Sequence, residues 1–141
     1  MGRLLAIDYG NKRCGLAVSD SLKLIAGGLA TVSTSDLLRF LADYAAKESI
    51  DIIIIGEPRQ MNGTESQTMP MIRSLADKLK RLFPSIKIVF YDERFTSVLA
   101  HKAMIDGGMK KKKRRQKAVV DEISATIILE DYMNSAKKSF C

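Results

Sequence analysis

The chain opens with short apolar runs broken by turn residues and then changes to apolar positions at helical spacing. Arg3 to Tyr9 reads as a buried strand through its LLAI core, and Gly10-Asn11 marks a turn. Cys14 to Ser19 (CGLAVS) reads as a second strand, so the two form a hairpin. Leu24 to Val32 reads as a third strand, loosened by Gly27-Gly28. Ser35 is an N-cap candidate, and Leu37, Leu38, Leu41, Tyr44 and Ala45 follow at the spacing of one helix face. Asp51 to Gly56 contains four consecutive isoleucines. Such a β-branched run suits a strand covered on both faces, as in a parallel sheet.

Glu57 to Glu65 (EPRQMNGTE) reads as a loop with a Pro and an Asn-Gly turn. Ser66 to Leu82 reads as a helix stopped before Pro84, and Ile86 to Tyr91 (IKIVFY) as a further strand. Thr96 is placed to cap a helix running to about Asp106 and ended by Gly107-Gly108. A basic run, Lys110 to Lys117, precedes a last helix from Ala118 to about Asn134. The predicted order is β-β-β-α-β-α-β-α-α. With no internal repeat and no linker, residues 1–141 are expected to form one α/β domain.

Composition narrows the class. Hydrophobic residues make up 46% and charged residues 28%, ordinary values for a soluble globular chain, which argues against disorder. No apolar run approaches the ~20 residues of a membrane helix. The opening MGRLLAIDYG reaches an Asp too soon for a signal peptide. Cys14 and Cys141 show no metal spacing, and a reduced cytoplasmic compartment without disulfides is expected. The net charge of +7 favours a polyanionic partner such as nucleic acid. The plainer alternative is a basic protein with no such partner.

Ligand sites in open α/β sheets lie beyond the carboxyl ends of strands. Asp8 ends the first predicted strand, Asp92-Glu93 follow IKIVFY directly, and Asp121 opens the last predicted helix. Converging carboxylates repel one another unless a cation neutralises them. With no His or Cys cluster the donors are all oxygen, which selects Mg2+ or Mn2+. Two such ions can support in-line phosphoryl displacement. Plainer readings stand beside this one. Asp8-Tyr9-Gly10 could be only a turn, and Asp92, Glu93, Asp121 and Glu122 could simply favour the positive ends of the helices that follow. His101, mid-helix, reads as a surface or core residue. Seven of the eight residues from Lys110 to Lys117 are basic, and the run reads as a flexible phosphate-binding arm.

Four stretches carry a family resemblance as an ordered set: IDYGNKRCGLAVSD (7–20), GEPRQMNGTES (56–66), YDERFTS (91–97) and VDEISATIILEDYM (120–133). Together they resemble the YqgF family of RuvC-like pre-16S rRNA nucleases, over nearly the whole chain. The DxG motif also occurs in actin-like ATPases, but those are far longer. The resemblance implies an RNase H-like α/β fold, a mixed five-stranded sheet flanked by helices. It implies acidic metal ligands at Asp8, at Glu93 rather than Asp92, and at Asp121, with Mg2+ or Mn2+ as cofactor. It implies maturation of the 5′ end of 16S rRNA, or, by likeness to Holliday junction resolvases, cleavage of branched DNA. The sequence departs from the family in three places. Glu57 stands where an apolar residue is usual, Glu122 where a small apolar one is, and Ser124 where the resolvases carry a further acid.

On this reading Asp8, Glu93 and Asp121 bind the metal and a water attacks the scissile phosphate. Arg94 orients Glu93 or contacts phosphate. Lys12 and Arg13 in the first turn, with Lys110, Lys111, Lys112, Lys113, Arg114, Arg115 and Lys117, hold backbone phosphates. The loop from Glu57 to Glu65 is placed to gate the site or read RNA shape. The expected partners are nucleic acid, RNA ahead of DNA, and pre-ribosomal particles, with no membrane. The chain is expected to be a monomer or weak homodimer. A junction resolvase and a non-catalytic nucleic-acid-binding module are the alternatives.

Overall fold

A computed structural model describes residues 2–57, 69–92 and 113–139. Its five strands are β1 (Arg3–Asp8), β2 (Arg13–Ser19), β3 (Ala26–Ser33), β4 (Ile50–Glu57) and β5 (Lys87–Asp92). The helices among the described residues are α1 (Leu37–Lys47), α2 (Met69–Leu82) and α3 (Lys113–Ser139). The sheet order is β3-β2-β1-β4-β5. β1 pairs antiparallel with β2 and parallel with β4; β2–β3 is antiparallel and β4–β5 parallel. The chain leaves β1 in one direction along the sheet and resumes on its other side at β4. The carboxyl end of β1 is therefore the switch point.

The two-residue period of the strands divides the core into two layers. Leu5 and Ile7 of β1, Cys14 and Leu16 of β2, and Ile53 and Ile55 of β4 face one way, toward Leu37, Leu41, Ile72 and Leu79 of α1 and α2. Leu4, Ala6, Ala17 and Ile54 face the other way, toward Ala125, Ile128, Leu129 and Met133 of α3. The isoleucine run behaves as its composition demands. β4 lies between two parallel neighbours, and Ile53, Ile54 and Ile55 are fully buried.

α3 lies close to the sheet because the residues beneath it are small. Ala6 pairs with Ala17 and Ala17 with Gly28, a row of minimal side chains across three strands. A Cβ on Gly28 would stand 3.5 Å from Glu122 Cβ, so helix and strand are already near contact. Beyond Gly28 the register slips between Leu16 and Ala17, leaving Leu29 as the extra residue of a bulge.

Several boundaries differ from expectation. Ser35 does not cap α1: Thr34–Asp36 form a 3-10 turn and the helix starts at Leu37, with Asp36 at the N-cap position. α3 starts at Lys113 rather than Ala118. Lys113, Arg114, Arg115 and Lys117 are thus helical rather than part of a flexible arm, as the good helix propensity of Lys, Arg and Gln allows. Charge patterning does not register that propensity. Asp121 consequently does not open the helix, which begins more than two turns earlier. The helix expected after Thr96, His101, Arg94 and Lys110 to Lys112 lie outside the described residues. Among the described residues no helix is long and apolar enough to cross a membrane.

The β2–β3 connection is tied down by one carboxylate. Asp20 Oδ1 accepts from the backbone N–H groups of Leu24 (2.7 Å) and Ile25 (2.9 Å). These two bonds hold its pKa below the usual carboxylate range, Ile25 contributing most. Asp51, in the neighbouring β1–β4 irregularity, is lowered in the same way, first by Lys23 Nζ at 2.6 Å.

Two predictions follow from this packing. Ile54→Ala, which empties a site between Ala6 and Val89, is expected to destabilise the chain by about 2–5 kcal/mol. Urea denaturation should show a lower midpoint at unchanged slope. For Asp20, the folded pKa lies below the unfolded value of about 3.9, so its stabilisation is present above that pH and disappears as pH falls through the folded value. Carboxyl NMR should find Asp20 titrating below the ordinary range, and hydrogen exchange should find Leu24 and Ile25 losing protection only under those more acidic conditions.

Candidate active site

Asp8 is the last residue of β1. The alternation that sends Leu4 and Ala6 toward α3 sends Asp8 the same way, and it is only 7% exposed. A carboxylate so nearly buried is costly unless it is partnered or serves a cation. The next residue, Tyr9, goes to the other face and packs against the α1–α2 layer. Burial pushes the Tyr9 phenol up, with Cys14 adding to the effect.

The turn after Tyr9 is built for close approach. A Cβ on Gly10 would stand 2.5 Å from Arg13 O, so no side chain fits there without moving backbone. Thr34, the first residue after β3, clamps the turn from the other side. Its hydroxyl donates to Gly10 O at 2.6 Å and its backbone N–H to Lys12 O at 3.0 Å. Cys14 Sγ, fully buried, lies 3.6 Å from the same hydroxyl. Lys12 and Arg13 are thus held on a fixed turn at the edge of the sheet where β1, β4 and β5 end. Neither Thr34 nor Tyr9 stands out in the sequence, because a Thr in an STS run and a Tyr beside a buried strand are ordinary.

The other expected residues fall unevenly about Asp8. Asp92 ends β5 opposite Glu57 in the register, and β5 is the neighbour of β4, not of β1. Glu57 has the parity of Ile53 and Ile55, which face α1 and α2, so it belongs to the face away from Asp8. Glu122 is half-buried over Gly28 on β3, and its carbonyl accepts from Thr126 Oγ1 at 2.8 Å. Asp121 precedes it by one residue. It lies too far along α3 for the helix dipole to account for it, since that effect fades within the first turn. Glu93 lies outside the described residues, as does the loop after Glu57.

One buried atom is consistent with a polar centre on α3. Ser124 is 1% exposed, and its hydroxyl has no hydrogen-bond partner among the described residues. Buried hydroxyls are normally satisfied. A nearly buried carboxylate on β1 and a buried hydroxyl on the helix covering the same face offer oxygen alone, the chemistry of a hard divalent cation. Among the described residues no three His, Cys, Asp or Glu side chains are grouped to hold a metal.

A mixed five-stranded sheet in the order β3-β2-β1-β4-β5, with an acid at the switch point and helices on both faces, places the molecule among RNase H-like α/β proteins. The solved structure of "T. thermophilus RuvC in complex with Holliday junction substrate" shares this fold, with a TM-score of 0.55 at 18% identity over 97% of this chain and 96% of that one. The sequence profile of the RuvX family, described as Holliday junction resolvase, matches residues 2–135, and the chain belongs to that family. A relative from Phocaeicola vulgatus is 56% identical over 97% of this chain and 99% of its own. One from Parabacteroides distasonis is 52% identical over 97% and 98%. Each bears the name "Putative pre-16S rRNA nuclease".

The turn geometry makes its own prediction. Gly10→Ala should cost about 1–3 kcal/mol through steric overpacking against Arg13 O. Thr34→Val, which keeps the shape and removes the donor to Gly10 O, should cost about 1 kcal/mol. Urea denaturation of both variants checks the order; equal stability of Gly10→Ala and the wild type would contradict the described turn.

Proposed function

We propose that the chain is a metal-dependent nuclease that hydrolyses RNA phosphodiesters and matures the 5′ end of pre-16S rRNA in the cytoplasm. The observation that carries this reading is Asp8, a nearly buried carboxylate at the carboxyl end of the switch-point strand. It is supported by full-length relatives of more than 50% identity that bear the name of such a nuclease.

In this proposal Asp8, Glu93 and Asp121 hold one or two divalent cations, Mg2+ or Mn2+. Such a cation would supply charge neutralisation at the scissile phosphate and a more acidic water. The placement of α3 favours Asp121 as a partner of Asp8. Glu130, Met133 and Asn134 of α3 lie beside Ala26 at the start of β3, and Glu122 and Thr126 beside Gly28 further along. The helix therefore runs back toward the edge that Asp8 occupies. On β5, Val89 and Tyr91 pack on the α3 side, and Glu93 is the next residue of that parity in the sequence. This favours Glu93 over Asp92.

The basic groups act on the phosphate backbone. Lys12 and Arg13 stand on the fixed turn next to Asp8 and would position the strand. Lys113, Arg114, Arg115 and Lys117 occupy the amino-terminal turns of α3, where free N–H groups and the helix dipole add to their attraction for phosphate. Lys110, Lys111 and Lys112 would extend this basic run, and Arg94 would orient Glu93 or contact phosphate. The basic surface this creates suits pre-ribosomal particles, and the chain would act as a monomer or weak homodimer.

A junction resolvase is the second reading, favoured by the family's description. Ser124 counts against it, because the corresponding position in the resolvases is acidic. A non-catalytic nucleic-acid-binding module would keep the basic turn and need no Asp8.

The test is cleavage of a single-stranded RNA spanning a 16S precursor 5′ end, beside a four-way DNA junction. Asp8→Asn should lower cleavage by roughly a thousandfold, the equivalent of several kcal/mol of lost charge stabilisation, and EDTA should abolish it. RNA binding by Asp8→Asn should persist. Lys12→Ala should reduce the salt slope of binding by roughly 0.7. Cutting of the junction alone would install the resolvase reading, and inertness of wild type and variant alike on both substrates would leave the binding module.

A further inference from the structure

We propose that the groove between α1 and α2, on the face of the sheet opposite Asp8, is a subsite for one unpaired nucleotide of the RNA strand next to the scissile position. The proposal rests on the nuclease reading for the identity of its occupant.

The groove has a volume of about 390 Å³ and is lined by Tyr9, Thr34, Leu38, Met71, Ser74 and Lys78, among others. That volume is within the range of small-ligand sites, and such sites combine apolar walls with a few polar groups. Here the walls are aliphatic and one aromatic ring, from Tyr9, is present. Ser74, on the exposed side of α2, offers a hydroxyl that can donate and accept, and Lys78 lies one helical turn further along. Met71, at 43% exposure, leaves part of its apolar side chain accessible in the groove wall. An aromatic ring, apolar walls, a hydroxyl and one cation match the parts of a nucleotide: base face, ribose and phosphate.

Its position fits the occupant. Asp8 and Tyr9 are consecutive, with Asp8 directed to the α3 face and Tyr9 packed on the other. A strand cut at Asp8 and continuing over the carboxyl edge of β1 meets Tyr9 next. Thr34 joins the two places mechanically, because it lines the groove and also clamps Gly10 and Lys12 of the turn above. Single-stranded RNA is ordinarily recognised by unstacked bases lying on aromatic rings. The chain has no Trp, and Tyr9 is an aromatic ring in a groove beside the candidate site. A base bound there would be held out of any duplex, so the groove would select an unpaired strand.

The experiment uses the full chain. AMP, and inorganic phosphate separately, are titrated into isotope-labelled protein and followed by amide shifts in wild type, Ser74→Trp and Lys78→Glu. Ser74 and Lys78 are exposed on α2, so both variants are expected to fold, and circular dichroism checks this. AMP should saturate shifts at Tyr9, Thr34, Leu38 and Met71, phosphate should not, and Ser74→Trp should weaken AMP binding at least about tenfold, the value of one stacked base. In cleavage, an abasic nucleotide beside the scissile position should slow wild type by a similar factor and Ser74→Trp no further. AMP shifts scattered over exposed lysines, or a Ser74→Trp protein that binds AMP and cuts RNA as wild type does, would overturn the subsite. Saturable AMP binding in the groove of a protein whose Asp8→Asn variant cuts normally would sustain the subsite and remove the nuclease assignment at Asp8.

Discussion

The register of β1 is the constraint on which the rest depends. This strand is paired on both sides, and its residues alternate strictly between two buried layers. Leu5 and Ile7 supply the α1–α2 layer while Leu4 and Ala6 supply the α3 layer. A slip of one residue would exchange the layers and carry Asp8 to the wrong face. The hydrophobic effect that fixes the sheet therefore also aims the carboxylate. The candidate carboxylate thus sits at the last position of a six-residue strand whose register the core fixes.

The fold was legible wherever one physical signal dominated. Four isoleucines in a row leave no polar face, and β4 is central. Gly10 and Asn11 between two apolar runs marked the β1–β2 hairpin. The start of α3 is not legible in the sequence because Lys and Arg read as solvent-seeking charges, although their helix propensity is high. Ser35 lies inside the 3-10 turn Thr34–Asp36 rather than at the cap, and the first residue of that turn bonds Gly10 O, 24 positions away. Local pattern cannot display a long-range hydrogen bond.

The candidate site was legible only in part for a related reason. Asp8 is legible as a strand-end acid because a strand, an acid and a glycine turn are contiguous. The face of Glu57 could be read only once the register of β4 was known, and it then proved to be the face away from Asp8. Tyr9 carries no signal of its own in the sequence, because an aromatic at the end of a buried strand is ordinary. That it also lines a groove depends on the spacing of α1 and α2, a tertiary property.

The row Ala6–Ala17–Gly28 has an implication for how this protein tolerates change. Most cores are harmed by losing volume, but under α3 a row of three small residues lies beside the larger Leu4 and Ile54 that also support the helix. Added bulk would act as a wedge, lifting the amino-terminal half of α3 from the sheet while every acidic residue stayed intact. Inherited variation should therefore be asymmetric: the aliphatic layers can exchange one large residue for another, while Gly28 has room for a Cβ in ordinary contact with Glu122 at 3.5 Å but not for a large side chain.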